Sequence, residues 1–366
     1  VQPRDRAAET WTGYRPGVDG AVADYGADAA HPIGELFEKL SELLRGAGRI
    51  YHAFGRAPEV DKRVIDLQDE IRRQSRGGVL PANEIVDPRL IVHEMRLIKS
   101  ADEVALMQKA ADISFEAHHR AARLTQPGRF EYELEAELTY AFRARGGSGP
   151  AYGSIVGSGV NATILHYIRN DQQLAKGEIV LIDAGVEYQG YASDVTRTYP
   201  VAGRFEPAAK NLYEVVLAAQ TASIAASRPG ATLPEIHAAS VRVLCEGMVD
   251  LGIIKGQVDE LIENEAYKPY YMHGTSHWLG LDVHDVGAYV VKNGSNDAKP
   301  RPLAPGMAFT IEPGLYIAED DANAPAAFKG LGIRIEDDIV ITEDGILNLT
   351  AAIPKEIDDV EAWVRS

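Results

Sequence analysis

From Ser100 onward the chain runs twice through one order of patterns, two helical stretches followed by strand-like segments. The first passage opens with Ser100-Ala-Asp-Glu103, a capping box whose serine and glutamate satisfy orphan N–H groups reciprocally. Behind it Val104, Met107 and Ala111 begin an apolar stripe. Gly128 interrupts the pattern, and Phe130, Leu134, Leu138 and Phe142 then recur at four-residue steps, which predicts two helices joined by a turn. The buried-strand run Glu178-Ile-Val-Leu-Ile-Asp183 follows. In the second passage Leu212, Val215, Val216 and Ala219 mark a helix. Thr232-Leu-Pro-Glu235 caps another with proline in its first turn, and strand-like segments run from about Tyr270 to Leu347. The order predicts an α+β domain of two similar halves packed side by side, with a cleft where their sheets meet. The repeat is one of architecture, not of residues.

The first ninety or so residues read as a separate α/β segment. Leu36, Phe37, Leu40, Leu43 and Leu44 give Ile33–Leu44 a helical spacing, a short strand is predicted over Arg49–Phe54, and a charged helix over Asp61–Gln74. We therefore place an N-terminal domain over 1–95, expected to be incomplete at its start because the chain opens at Val1, and a second, larger domain over 96–366.

Composition excludes several classes of function. With 37 basic against 54 acidic residues the net charge is −17, which disfavours nucleic acid and anionic membrane surfaces as partners. No apolar run approaches the ~20 residues that span a bilayer. The single cysteine, Cys245, sits in the apolar helical stretch Val-Arg-Val-Leu-Cys and reads as a buried small hydrophobe, so no disulfide framework exists and a cytoplasmic location is expected.

Five residues in the sheet-forming segments carry the chemistry. Asp183 ends an apolar run in Leu-Ile-Asp-Ala-Gly, and Asp194 lies in Ala-Ser-Asp-Val-Thr. The second half offers His277 in His-Gly-Thr-Ser-His, Glu312 in Ile-Glu-Pro-Gly and Glu336 in Ile-Arg-Ile-Glu-Asp. A carboxylate at the end of a buried strand is costly unless a cation or an arginine neutralises it. Four carboxylates and one neutral imidazole would balance two divalent cations roughly 3.5–4 Å apart. So oxygen-rich a set favours Mn²⁺ or Co²⁺ over Zn²⁺. Asp337 and Asp338 read as a solvated turn. His273 and His277 have the i,i+4 spacing of a zinc-protease helix, but Gly274 and Thr275 fit a helix poorly and the expected glutamate is absent. His31, His52, His93, His118, His119 and His237 read as surface or packing residues.

Residues 271–287, Tyr-Met-His-Gly-Thr-Ser-His-Trp-Leu-Gly-Leu-Asp-Val-His-Asp-Val-Gly, closely resemble the signature of the Xaa-Pro peptidases, bacterial aminopeptidase P above all, with the dipeptide-cleaving prolidases sharing much of it. Asp-Ala-Gly with a second aspartate downstream, Ile-Glu-Pro-Gly and Gly-Ile-Arg-Ile-Glu-Asp-Asp complete the pattern in order, from Leu97 to Leu347. The resemblance implies a pita-bread catalytic domain with pseudo-twofold symmetry and hydrolysis of the N-terminal Xaa-Pro bond of peptides by a hydroxide shared between two metal ions. It implies Asp183, Asp194, His277, Glu312 and Glu336 as ligands, with Asp194 and Glu336 bridging. It also implies that His166 and His284 contact substrate or intermediate, that Glu312 moves the proton, that His273 shapes a proline pocket, and that Arg334 and Tyr316 orient the substrate. A homodimer or tetramer is implied as well. Methionine aminopeptidases share the ligands but not the His277–His284 segment. Creatinases keep the fold without metals, against which the intact candidate ligands argue, and a non-catalytic module on the scaffold would be expected to lose them.

Overall fold

The computed structural model describes residues 1–292 and 297–366, in two compact units, Val1–Val92 and His93–Ser366. In the first unit two short strands, Arg49–Tyr51 and Glu84–Val86, pair in parallel with Ile50 opposite Ile85. A helix covers Leu36–Leu44 and another Pro58–Arg73. The latter begins with proline, has Glu59 and Asp61 in its first turn and ends on Arg72 and Arg73, an arrangement that complements the helix dipole. Leu44, Ile50, Leu67 and Ile71 form the unit's small core. The predicted strand over Arg49–Phe54 is cut to three residues, because the chain turns away through Gly55 at a φ of 90°.

The second unit repeats helix, helix, three-stranded sheet. Its first half contains helices Ala101–Leu124 and Glu131–Ala144 and the antiparallel strands Ile155–Ser158, Ile179–Asp183 and Thr196–Pro200, with Ile179–Asp183 in the middle. Its second half consists of helices Pro207–Ala226 and Leu233–Asp250 and the antiparallel strands Ala308–Ile311, Asp337–Ile341 and Ile346–Asn348. Both capping boxes form. Every residue of the Ile-Val-Leu-Ile-Asp strand is buried, which is what an unbroken apolar run requires. Cys245 is buried in its helix. Among the described residues no helix is long and apolar enough to cross a membrane.

The halves meet edge to edge. The Glu336 N–H donates to the Thr196 carbonyl at 3.0 Å, and the Thr198 hydroxyl donates to the Arg334 carbonyl at 3.1 Å. Acids at the ends of the central strands therefore converge on one seam.

Two expectations need correction. Residues 270–289 form no continuous strand: Gly274, Gly280 and Gly287 break the pattern, and only Trp278 pairs, as an isolated bridge opposite Phe309. Nonetheless the Thr275 and His277 carbonyls accept from the N–H groups of Glu312 and Thr310, so this loop is fastened along the Ala308–Ile311 strand. Asp337 and Asp338 are not a solvated turn. Both are buried in a strand that continues through Ile339-Val340-Ile341. Asp337 is pulled well below the usual carboxylate range by Arg197 at 2.7 Å and Lys355 at 2.6 Å, which outweigh its burial.

Candidate metal centre

Each acid owes its place to a strand end. Asp183 closes the Ile179–Asp183 strand, and Gly185 just beyond it lets the chain carrying Asp194 fold back closely. A Cβ on Gly185 would stand 1.8 Å from the Ser193 carbonyl oxygen, so no other residue fits. Glu312 follows the Ala308–Ile311 strand directly, and Glu336 lies between the strands Gly332–Arg334 and Asp337–Ile341. Asp183, Asp194, His277, Glu312 and Glu336 all line one cavity of about 600 Å³.

Within it Asp194, His277 and Glu336 each place one donor atom within 4.8 Å of the others. His277 Nε2 lies 3.3 Å from Asp194 Oδ2 and 3.4 Å from Glu312 Oε1. Its Nδ1 is 3.0 Å from the Trp278 carbonyl oxygen, an acceptor, so Nδ1 carries a proton and Nε2 is the nitrogen that faces the carboxylates. Asp183 is held differently. Its Oδ2 accepts from Arg334 at 2.6 Å, and its Oδ1 lies 2.6 Å from the Tyr152 hydroxyl, which stands at the same distance from Asp194 Oδ1. The arginine that could answer a buried aspartate is thus present, but it answers only one of four.

The electrostatics express the remaining imbalance. Burial pushes Glu312 up to about 7, although His277 and Arg334 pull the other way. Burial, followed by repulsion from Asp194, Glu312 and Asp183, drives Glu336 well above its ordinary range. For His277 burial is outweighed by Asp194 and Glu312, and the imidazole rises to about 9. A proton on His277 and protons on the glutamates stand where divalent cations would neutralise the same charges. The donor set, four carboxylates and one imidazole with its Nε2 directed inward, fits such ions once those protons leave.

The other expected residues divide into two groups. His166, His273, His284 and Arg334 line the cavity. The His284 ring lies 4.1 Å from that of His277 between centroids. Tyr316 does not line it: the residue is buried one layer back, where its hydroxyl accepts from Arg334 at 3.0 Å and donates to His273 Nε2 at 2.9 Å. It thereby orients two lining side chains rather than facing the cavity itself. His273 is kept neutral, lowered to about 3 by burial and by Arg334. His118 packs in the core, bonded to the Ala184 carbonyl at 2.9 Å.

Sequence reasoning missed Tyr152, Thr196, Thr310 and Asp338. Thr196 donates its hydroxyl to Glu336 Oε2 at 2.6 Å, Thr310 donates to Glu312 Oε1 at 3.3 Å, and Asp338 accepts the Asp194 N–H at 3.1 Å. Only Asp338 had a signal, the alternation of Glu336 and Asp338 onto one face of a strand that the following isoleucines extend.

The model of metallopeptidase family M24 matches residues 105–343, more than half of the chain. The chain belongs to metallopeptidase family M24. A second model, the aminopeptidase P N-terminal domain, matches residues 1–51 of this M24 chain. It is 46% identical to the Xaa-Pro aminopeptidase of Escherichia coli K12 over 359 residues, which cover 98% of this chain and 80% of that protein. Its structure is similar to that of aminopeptidase PepP of Pseudomonas aeruginosa, with TM-score 0.94 and 48% identity over 100% of this chain and 81% of that one. Proline aminopeptidase P II from Yersinia pestis follows closely, with TM-score 0.92 and 47% identity over 100% and 82% of the two chains. Mixed helix and sheet in this family is the pita-bread fold.

Proposed function

We propose that this M24 peptidase removes the N-terminal residue from peptides whose second residue is proline, using two divalent cations held by Asp183, Asp194, His277, Glu312 and Glu336. The observation that carries the reading is the convergence of four buried carboxylates and one inward-facing imidazole on a single cavity, with one arginine among them. When bound, the ions supply Lewis acidity and lower the pKa of a water toward neutrality. The oxygen-rich donor set favours Mn²⁺, with Co²⁺ and Zn²⁺ as alternatives.

The chain's own groups do the rest. Glu312, whose Oε1 lies 3.4 Å from His277 Nε2 at the cavity, is the group to take a proton from water and return one to the leaving proline nitrogen. His284 and His166 stand at the cavity as hydrogen-bond partners for the scissile carbonyl and the developing oxyanion. Ile155, Leu165, Ile168 and Val283 give the cavity its apolar wall, and neutral His273 adds a ring face suited to a pyrrolidine. An Xaa-Pro bond has no N–H for an ordinary peptidase to grip, so shape must replace that contact.

The lining bears on peptide length. Among the described residues Arg334 is its only lysine or arginine, and its guanidinium is committed to Asp183, Tyr316 and Thr196. No uncommitted lysine or arginine among the described residues lines the cavity to pair with a dipeptide's C-terminal carboxylate, which favours longer peptides over the dipeptide-only activity of a prolidase. We place the catalytic domain over 96–366, the protein in the cytoplasm, and its assembly as a homodimer or tetramer.

The test is hydrolysis of Ala-Pro-Ala, Ala-Pro and Ala-Ala-Ala by metal-stripped protein with and without Mn²⁺. Manganese-dependent cleavage of Ala-Pro-Ala but not Ala-Ala-Ala is expected. Cleavage of Ala-Pro alone would make the protein a dipeptidase, and no cleavage by folded, manganese-loaded protein would overturn the assignment.

A further inference from the structure

The loop that carries His166 has an anchor outside the metal centre. Ser158 to Gln172 runs between strand Ile155–Ser158 and the segment leading to Ile179–Asp183, and it presents Leu165, His166 and Ile168 to the cavity. His166 itself is exposed. Its neighbour Tyr167 points the other way, to Glu131, a fully buried carboxylate at the start of helix Glu131–Ala144.

Glu131 is surrounded by donors. Its Oε1 accepts from the Ser158 N–H at 2.6 Å, the Ser158 hydroxyl at 2.8 Å and the Asn161 amide at 3.2 Å. Its Oε2 accepts from the Gln172 N–H at 2.9 Å and from the Tyr167 hydroxyl at 2.9 Å, for which Asp171 Oδ1 at 3.1 Å is the alternative acceptor. The Glu131 N–H returns a bond to the Gln172 carbonyl at 3.0 Å. One turn along, Glu135 accepts from Asn170, whose amide also bonds Ser154 and Val156.

We infer that Glu131 is a positioning residue, a clasp that closes the 158–172 loop at both ends and its middle so that His166 and the apolar wall face the substrate. The geometry calls for a carboxylate. Each oxygen faces one backbone N–H, so a glutamine in either flip would set its NH₂ against a donor that cannot turn away. The helix start adds favourable partial charge for an anion. Glu131 touches neither the metal ligands nor the cavity, so its influence runs through the loop alone.

The inference rests on the peptidase reading for its kinetic test but not for its structural one. Leaving a buried donor unsatisfied in Glu131→Gln should lower kcat/KM for Ala-Pro-Ala about tenfold, with Mn²⁺ affinity by calorimetry unchanged. Because part of the effect passes through His166, Glu131→Gln should cost less in a His166→Ala background than in the wild type. Hydrogen exchange of the 158–172 amides should quicken in Glu131→Gln, and to a smaller degree in Tyr167→Phe, which removes one donor and serves if the first variant folds poorly. Losses that multiply fully in the double variant, or a fall in Mn²⁺ affinity, would overturn the assignment. So would unchanged exchange in the loop. Failure of the wild type to cleave any peptide would sink the peptidase reading and leave the exchange measurement to decide the clasp.

Discussion

The Tyr152 hydroxyl stands 2.6 Å from one oxygen of each of two aspartates and so fixes both at once. Removing it frees the carboxylates to turn without opening the core. Partners behind metal ligands are worth about ten- to a hundredfold in affinity, so Tyr152→Phe should weaken Mn²⁺ binding by about tenfold in calorimetry while leaving the fold intact. No motif marks Tyr152 in the sequence. Its role exists only because the chain brings residues 152, 183 and 194 together. Titration gives a second prediction at this scale. Burial raises Glu312 from its ordinary value near 4.5 to about 7, and the neighbouring carboxylates raise His277 from near 6.5 to about 9. Through that range the folded, metal-free protein binds more protons than its unfolded chain, so its stability falls as pH rises from about 6 to about 9. Cations bind the deprotonated groups, so Mn²⁺ should raise the melting temperature more at high pH than at low pH. A smaller gain at high pH, measured by thermal melts in chelator and in Mn²⁺, would contradict this.

At the scale of elements, the strand Asp337–Ile341 and the seam beside it depend on Arg197. Its guanidinium donates to the carbonyls of Thr196, Glu336, Ile353 and Pro354 and to the Asp337 carboxylate, every donor used and none exposed. Arg334 crosses the seam in the opposite sense, from the second half to Asp183. Breaking a buried pair by removing one partner strands the other charge, so Arg197→Leu should destabilise the protein by about 3–5 kcal/mol in urea unfolding. A change below about 1 kcal/mol would show that Asp337 is neutralised by Lys355 alone. These elements also show where the sequence could be read and where it could not. Helices stood out because capping boxes and four-residue steps are local signals. The edge-to-edge seam was invisible, since Thr196, Arg197 and Asp337 meet across about 140 residues. Asp337 and Asp338 were misread because two acids in a row look solvated unless the strand beyond them is weighed.

For the whole molecule, two halves that repeat an architecture contribute unequally to one site. The first supplies Asp183 and Asp194, and the second His277, Glu312 and Glu336. Neither half brings more than three of these five groups to the cavity. Asp183, Glu312 and Glu336 drew attention because a charge at the end of an apolar strand conflicts with burial, and the resemblance added Asp194 and His277; all five line one cavity. The groups behind them were not legible, since Tyr152, Thr196 and Glu131 act through contacts that only the folded chain creates. The central claim is that both halves together bind two cations to cut an Xaa-Pro bond. The most direct measurement titrates Mn²⁺ into metal-stripped protein while bound metal and Ala-Pro-Ala turnover are followed together. Two ions per chain, with full turnover reached only as the second binds, is the predicted result. Full turnover in chelator, or with no more than one ion bound, would contradict it.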